Sequence, residues 1–183
     1  MKTKYYLLAA LLGGIVIFVW GAFSHMALPW WEDVMHRFPN EQPVVDALKA
    51  NGVQNGMYYG MQGFFLVTFF GQGMNDNAAM GPLMIEEFIS DALAAFVLAW
   101  LLMRANVRGV AKMGLFAGMV GLTGWIAGNL SNWIWYNFAF GYVLLEAVDQ
   151  VIGFVLAGLV IAWLIKRERP GFTFEPTRAR SVM

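Results

Sequence analysis

Acidic side chains inside long apolar segments are the residues of this 183-residue chain that are best suited to chemistry. Glu87 and Asp91 are four residues apart in one apolar segment, and Glu146 and Asp149 are three apart in another. Carboxyls at such positions can bind a cation or carry a proton. They can also hydrogen-bond within a helix bundle or contact a partner subunit. The sequence leaves all three roles open, and we favour the structural one.

The two histidines offer a second candidate site. His25 and His36, with Asp33 between them, have the ligand chemistry that zinc and copper prefer. Their spacing matches no metal motif, and Pro29 separates them. An interfacial hydrogen bond is therefore the favoured role for His25, with axial ligation of a haem or pigment as an alternative.

Catalytic signatures are missing from the sequence. It has no cysteine, which excludes disulfides, thiolate metal sites and covalently attached haem. It also has no phosphate-binding glycine loop, nucleophile elbow or zinc-protease motif. We therefore lean towards a protein that is not an enzyme, and the sequence identifies no cofactor.

The composition indicates a membrane protein. Hydrophobic residues make up 59% of the chain, charged residues make up 13%, and the mean hydropathy is +0.56. A chain of this size has too little interior to bury so much apolar surface. Its net charge of zero gives no basic excess that would suggest nucleic acid as a partner.

Four apolar segments are long enough to cross about 30 Å of hydrocarbon as helices. We predict an all-α integral membrane four-helix bundle, a single domain over 1–183, with helices at about 5–28, 82–103, 113–136 and 142–165. Pro82 is predicted to begin the second helix. The segment 29–81 forms a small extracytoplasmic insertion between helices 1 and 2, and 166–183 forms a cytoplasmic tail.

Basic residues determine the expected orientation. With four helices and a cytoplasmic N-terminus, every lysine and arginine except Arg37 and Lys49 lies on the cytoplasmic side. A fifth helix at 56–74 would separate the basic clusters, so we disfavour it. We therefore expect a multi-pass protein of the bacterial inner membrane with both termini in the cytoplasm.

The insertion itself has a short amphipathic pattern. Residues 41–50 place an apolar stripe on one side of a helix that ends at Asn51-Gly52. Residues 57–72 are rich in aromatic and β-branched side chains, which favours short strands or an interfacial loop.

Helix geometry sets the depth of the polar residues. At ~1.5 Å per residue, Asp91 lies ~20 Å above Arg104 and Asp149 ~26 Å above Lys166. We therefore predict one polar layer in the outer third of the bundle. Its deepest members are Asp91, Asn129 and Asp149, and the residues around its mouth are Ser24, His25, Glu86, Glu87, Asn132 and Glu146.

Glycines on the last two predicted helices indicate close packing. The third helix carries Gly114, Gly118, Gly124 and Gly128, and the fourth carries Gly153 and Gly158. Small residues let two backbones approach each other in a membrane. We favour contacts within the chain, with dimerisation as the alternative.

Short motifs along most of the chain resemble those of small bacterial integral membrane proteins. They are Leu28-Pro29-Trp30, Phe38-Pro39-Asn40-Glu41, Gly56-Met57-Tyr58, Gly81-Pro82, Asn132-Trp133-Ile134-Trp135-Tyr136 and Asp149 to Leu164. The resemblance implies four helices with an outer insertion and implies nothing about chemistry.

Taken together, the sequence predicts a non-catalytic accessory or assembly subunit of a larger membrane complex. Its expected partners are membrane lipids and either other membrane subunits or further copies of itself. One alternative is a proton or cation transporter, or a channel-like protein, that uses the outer carboxylate layer. Another is a subunit that binds haem, pigment or quinone.

Overall fold

Helices make up most of the computed structural model, which describes residues 3–60, 62, 65–69 and 77–168. The elements in chain order are α1 (Thr3–Ala27), a 3-10 turn (Pro29–Trp31), α2 (Gln42–Ala50), β1 (Gly56–Gly60), β2 (Phe65–Phe69), α3 (Asn77–Arg104), α4 (Val110–Gly128), α5 (Leu130–Tyr136) and α6 (Phe140–Glu168). Three segments are long and apolar enough to cross a membrane, namely Lys4–Ala27, Val110–Tyr136 and Phe140–Lys166.

The helix that corresponds to the second predicted span, α3, differs most from the prediction. It is not among the three apolar segments, because Glu86, Glu87 and Asp91 lie inside α3. The helix also begins at Asn77 rather than at Pro82. A proline near a helix N-terminus removes one backbone hydrogen bond, and the alanines before it favour the helix.

The third predicted helix is divided at Asn129. The Asn129 backbone N–H donates to the carbonyl of Trp125 at 2.8 Å, and its own carbonyl accepts the N–H of Asn132 at 2.9 Å. Glycine and asparagine are weak helix formers, which explains why the division falls directly after Gly128. Asn137, with φ of 56°, ends α5 in a left-handed conformation.

The long helices pack antiparallel to their neighbours, and the largest interfaces are α4–α6, α1–α3 and α1–α6. In α1 and α3, a Cβ added at Gly14 would lie 2.7 Å from the Cα of Ala92. Between α1 and α6, the Trp20 indole N–H donates to the carbonyl of Asp149 at 3.1 Å, and Gly13 faces Ile161. Consequently α1 and α4 run in one direction, and α3 and α6 run in the other.

The buried core lies at one end of these helices. It is the end where α1 and α4 begin and α3 and α6 end, and its buried side chains include Leu98, Leu102, Met113, Ile161 and Ile165. We call it the basic end, because the helices carry Lys4, Arg104, Lys112 and Lys166 there. The opposite end is called the acidic end after Glu87, Asp91, Glu146 and Asp149.

Glycines form the contact between α4 and α6, as predicted for packing within the chain. A Cβ added at Gly158 would lie 2.5 Å from the Cβ of Ala117 and 3.0 Å from the carbonyl oxygen of Met113. Gly114 and Gly118 similarly face Leu159 and Val155. Gly128 is different, because a Cβ added there would meet no described atom of another element within 4 Å.

The insertion contains α2 and a two-stranded antiparallel sheet. Gly52, with φ of 74°, follows the end of α2. In the sheet, Gly56 pairs with Phe69 and Gly60 with Phe65. The predicted segment 57–72 therefore forms strands over much of its described part, and the all-α expectation is corrected to a mostly helical fold with one hairpin.

Candidate functional site

Three acidic residues of the predicted layer lie on α3 and α6. Asp91 on α3 is half-buried, and the charges of Glu87, one turn earlier, and of Asp149 on α6 act on it. The interface between α3 and α6 is small compared with those that either helix makes with α1. These carboxyls therefore lie on two helices that share only a small interface.

Close contact between α1 and α3 positions Asp91. Ala92, its neighbour, lies against Gly14, which is the eleventh residue of the 24-residue apolar segment of α1. Gly14 is ten residues after Lys4, or ~15 Å along the helix. Asp91 therefore lies nearer to the middle of the apolar segment than the ~20 Å expected from its distance to Arg104.

Asp149 is held by its backbone while one side-chain oxygen has no partner. The Asp149 backbone carbonyl accepts a hydrogen bond from the Trp20 indole N–H. The same indole packs against Gly153, one turn later, where an added Cβ would lie 3.3 Å from the Trp20 ring. The Oδ1 atom of Asp149 is buried and has no hydrogen-bond partner among the described residues. An unsatisfied buried polar atom costs about 1–3 kcal/mol, so this oxygen is suited to accept a hydrogen bond or a cation.

The remaining layer residues have other described neighbours. Glu146 is half-buried and interacts with Tyr142, one turn earlier on α6. Asn129 and Asn132 are half-buried at the junction of α4 and α5, and the backbone carbonyl of Asn132 accepts the N–H of Phe138 at 3.2 Å. None of the hydrogen bonds in the described part of the chain connects either asparagine side chain to Asp91.

An aromatic cluster that is not among the predicted site residues closes the end of α1 that belongs to the acidic end. Trp31 is only 4% exposed, and its indole N–H donates to the carbonyl oxygen of Ser24 at 3.1 Å. The His25 ring stacks on Trp31 at 4.2 Å, and Tyr142 of α6 contacts Trp31 edge-on at 5.8 Å. We call these four residues the indole clamp.

Only the turn at Pro29 could have indicated the clamp in the sequence. A turn after Leu28 allows Trp31 to fold back over the end of α1. Tryptophan next to a predicted membrane boundary is equally typical of an interfacial belt, so its type and position alone do not indicate a buried cluster.

The three predicted metal ligands are not grouped around a common point in the structure. The Nδ1 atom of His25 lies 3.0 Å from the carbonyl oxygen of Gly21, and its ring is stacked in the clamp. Asp33 and His36 are exposed. Within the described residues, no three side chains of the metal-binding types gather closely enough to hold an ion.

The chemistry available to this site is acidic. Oxygen atoms of Glu87, Asp91 and Asp149 could each carry a proton or accept hydrogen bonds from another chain. Comparisons with protein-family models, with curated proteins and with solved structures give no match for this chain. The arguments for its function therefore come from the geometry of the helices and their carboxyls.

Proposed function

We propose that the protein crosses the membrane four times, with α3 as the fourth span. Support comes from helix direction, because α1 and α4 both pack antiparallel to α6. Two spans that run in the same direction need a return crossing between them. With 28 residues, or ~42 Å, α3 is long enough for that crossing.

Charge supports an orientation with the basic end in the cytoplasm. Lys4, Arg104, Lys112 and Lys166 lie at the end where the positive-inside rule places cytoplasmic charge. In this orientation both termini face the cytoplasm of a bacterial cell, and the insertion with the acidic end faces outward.

Single cysteines test this topology, because the chain has none of its own. Ala50 in α2 and Ala105 after α3 are both exposed. We expect a membrane-impermeant maleimide to label A50C in intact cells and to label A105C only after permeabilisation. Labelling of A105C in intact cells would contradict the fourth span.

Within that topology, we propose a non-catalytic subunit that binds a partner membrane protein through the outer half of α3. The observation that carries the proposal is the exposure of α3, where Glu86 and Glu87 are exposed beside Asp91. The apolar side chains of Ile85 and Ile89 are also exposed there. Carboxyls at membrane depth are costly in lipid, whereas a neighbouring span with basic or amide side chains would lower that cost.

The mass of the purified complex in mild detergent tests the subunit role. We expect the wild type to elute with a partner span in a fixed ratio. The double variant E87Q/D91N should lose that partner because it removes two charges that the partner neutralises. The variant E32Q removes an exposed acid of the insertion and should keep the partner. A monodisperse wild-type monomer would contradict the proposal.

A proton or cation pathway is the second candidate, favoured by the unpartnered Oδ1 of Asp149 close to Asp91. In liposomes that contain the purified protein, we expect cation or proton flux that falls at least tenfold in D91N and in D149N. The E32Q control should keep the wild-type flux. If the wild type shows no flux, or if both variants match it, this function is excluded.

A further inference from the structure

An apolar groove separates α2 from the hairpin in the insertion. Its volume is about 640 Å³, within the range of ligand pockets. The side chains that line it include Val44, Ala47 and Leu48 of α2 and Val53, Tyr58 and Val67 on the other side. None of its described lining residues is charged.

The elements beside the groove lack a core of their own. α2 has only nine residues, and none of them is buried. Isolated helices of this length and isolated two-stranded hairpins are marginal in water. An apolar guest beside α2 would supply the burial that this helix lacks.

The groove offers little to a polar guest. The Tyr58 hydroxyl already accepts the backbone N–H of Gln54 at 2.9 Å, and the Asn51 side-chain amide donates to the carbonyl of Ala47 at 2.8 Å. The two tyrosine hydroxyls and the Asn51 side chain keep some hydrogen-bonding capacity, but the other lining residues are aliphatic, which matches an aliphatic chain better than a sugar, peptide or ion.

The position of the insertion indicates where such a chain comes from. The insertion is connected at Ala27 and at Asn77 to the same end of the long helices, so it lies at the membrane surface if those helices span the membrane. Its exposed apolar residues include Met57 and Tyr59 of β1, which are 67% and 72% exposed. Lipid is the nearest source of an aliphatic chain at that surface.

We infer that the groove between α2 and the hairpin holds one acyl chain of a membrane lipid. This inference rests on the proposed membrane insertion. It assigns a lipid site to the insertion, separate from the carboxyls of α3 and α6.

Fluorescence quenching by brominated acyl chains tests the inference. Single cysteines carrying a bimane label are placed at Ala47, which lines the groove, and at Lys49, which is exposed and two residues further along α2. A third label at Val19, an exposed apolar residue of α1, reports membrane insertion. In vesicles of brominated phosphatidylcholine, we expect at least twofold more quenching for A47C than for K49C, and strong quenching for V19C.

The outcomes separate this inference from the proposed function. Equal quenching of A47C and K49C, together with strong quenching of V19C, would overturn the lipid site and leave membrane insertion standing. Weak quenching of V19C would overturn membrane insertion, and the lipid site with it. Adding V53W should fill the groove and reduce the A47C signal to the K49C level, and an unchanged A47C signal would overturn the lipid site.

Discussion

The two ends of the long helices are held together by different interactions. At the basic end, small residues such as Gly158 and Ala117 bring backbones into contact around a buried apolar core. At the acidic end, indole N–H groups donate to backbone carbonyls on another element, from Trp31 to Ser24 and from Trp125 to Val143. The basic end is thus held by close backbone packing, and the acidic end by indole hydrogen bonds and the ring contacts of the indole clamp.

This difference shows where the chain can accept something from outside. Packing of small residues at the basic end leaves no buried unsatisfied side-chain atom among the described residues there. The acidic end retains an unpartnered buried oxygen on Asp149 and exposed carboxyls on α3. The proposed interactions of the protein with other molecules therefore lie at the acidic end and in the insertion beyond it.

The largest effect is expected at the indole clamp. Replacing Trp31 with alanine removes the Ser24 hydrogen bond and both ring contacts, and should lower the free energy of unfolding by about 3–5 kcal/mol. Denaturation by SDS in mixed micelles, followed by circular dichroism, measures it. W135A is the control, because Trp135 is 71% exposed. Equal losses in W31A and W135A would show that the clamp does not hold the acidic end.

Next in size is a test of packing at the basic end. The variant G158A forces α4 and α6 apart and should lower the free energy of unfolding by about 1–3 kcal/mol. The control G21A adds the same methyl group at a position where the new Cβ would meet no described atom of another element within 4 Å. It should raise stability by about 0.5–1 kcal/mol through helix propensity. A stabilised G158A would contradict the close contact at Ala117.

A single hydrogen bond at the acidic end should have a smaller effect. The variant W20F keeps an aromatic ring but removes the N–H that donates to Asp149, and should lower the free energy of unfolding by about 1 kcal/mol. The exposed Trp135, changed to phenylalanine, serves as the matched control. If W20F is as stable as the wild type, the α1–α6 contact depends on packing alone.

The smallest effect should have the opposite sign. The variant D149N removes a negative charge that repels the carboxylate of Asp91. The free energy of unfolding should therefore rise by less than about 1 kcal/mol. The same micelle titration measures it, with E32Q as the control for an exposed acid. A loss of stability in D149N would mean that the Asp149 carboxylate has a stabilising partner.

Hydrophobic length predicted the long helices well, because burial or lipid contact of some 20 apolar residues leaves few alternatives to a helix. The bounds of α1 and α6 differ from the predicted ones by one to three residues. The start of α3 was wrong, because one proline was given more weight than the alanines before it. The division at Asn129 was also not predicted. Weak helix formers lower the stability of a helix, but their presence does not determine the residue at which it is interrupted.

The carboxyl group was only partly predictable. Periodicity placed Glu87 and Asp91 on one face of α3, and depth arithmetic brought Asp149 to a similar level. Periodicity does not state which helices are neighbours, so the inclusion of Asn129 in the layer stays a prediction. Trp31 was missed for a related reason, because its partner Tyr142 lies in α6, more than a hundred residues away along the chain.

The central position of α6 has a consequence for biosynthesis. Among the described helices, α6 follows α1, α3 and α4 along the chain, yet it contacts both α1 and α4 across large interfaces. Before it emerges from the ribosome, the α1–α3 pair and α4 share only a small interface. Until α6 is synthesised, the Asp91 side of α3 is therefore open to chaperones or to an assembling partner.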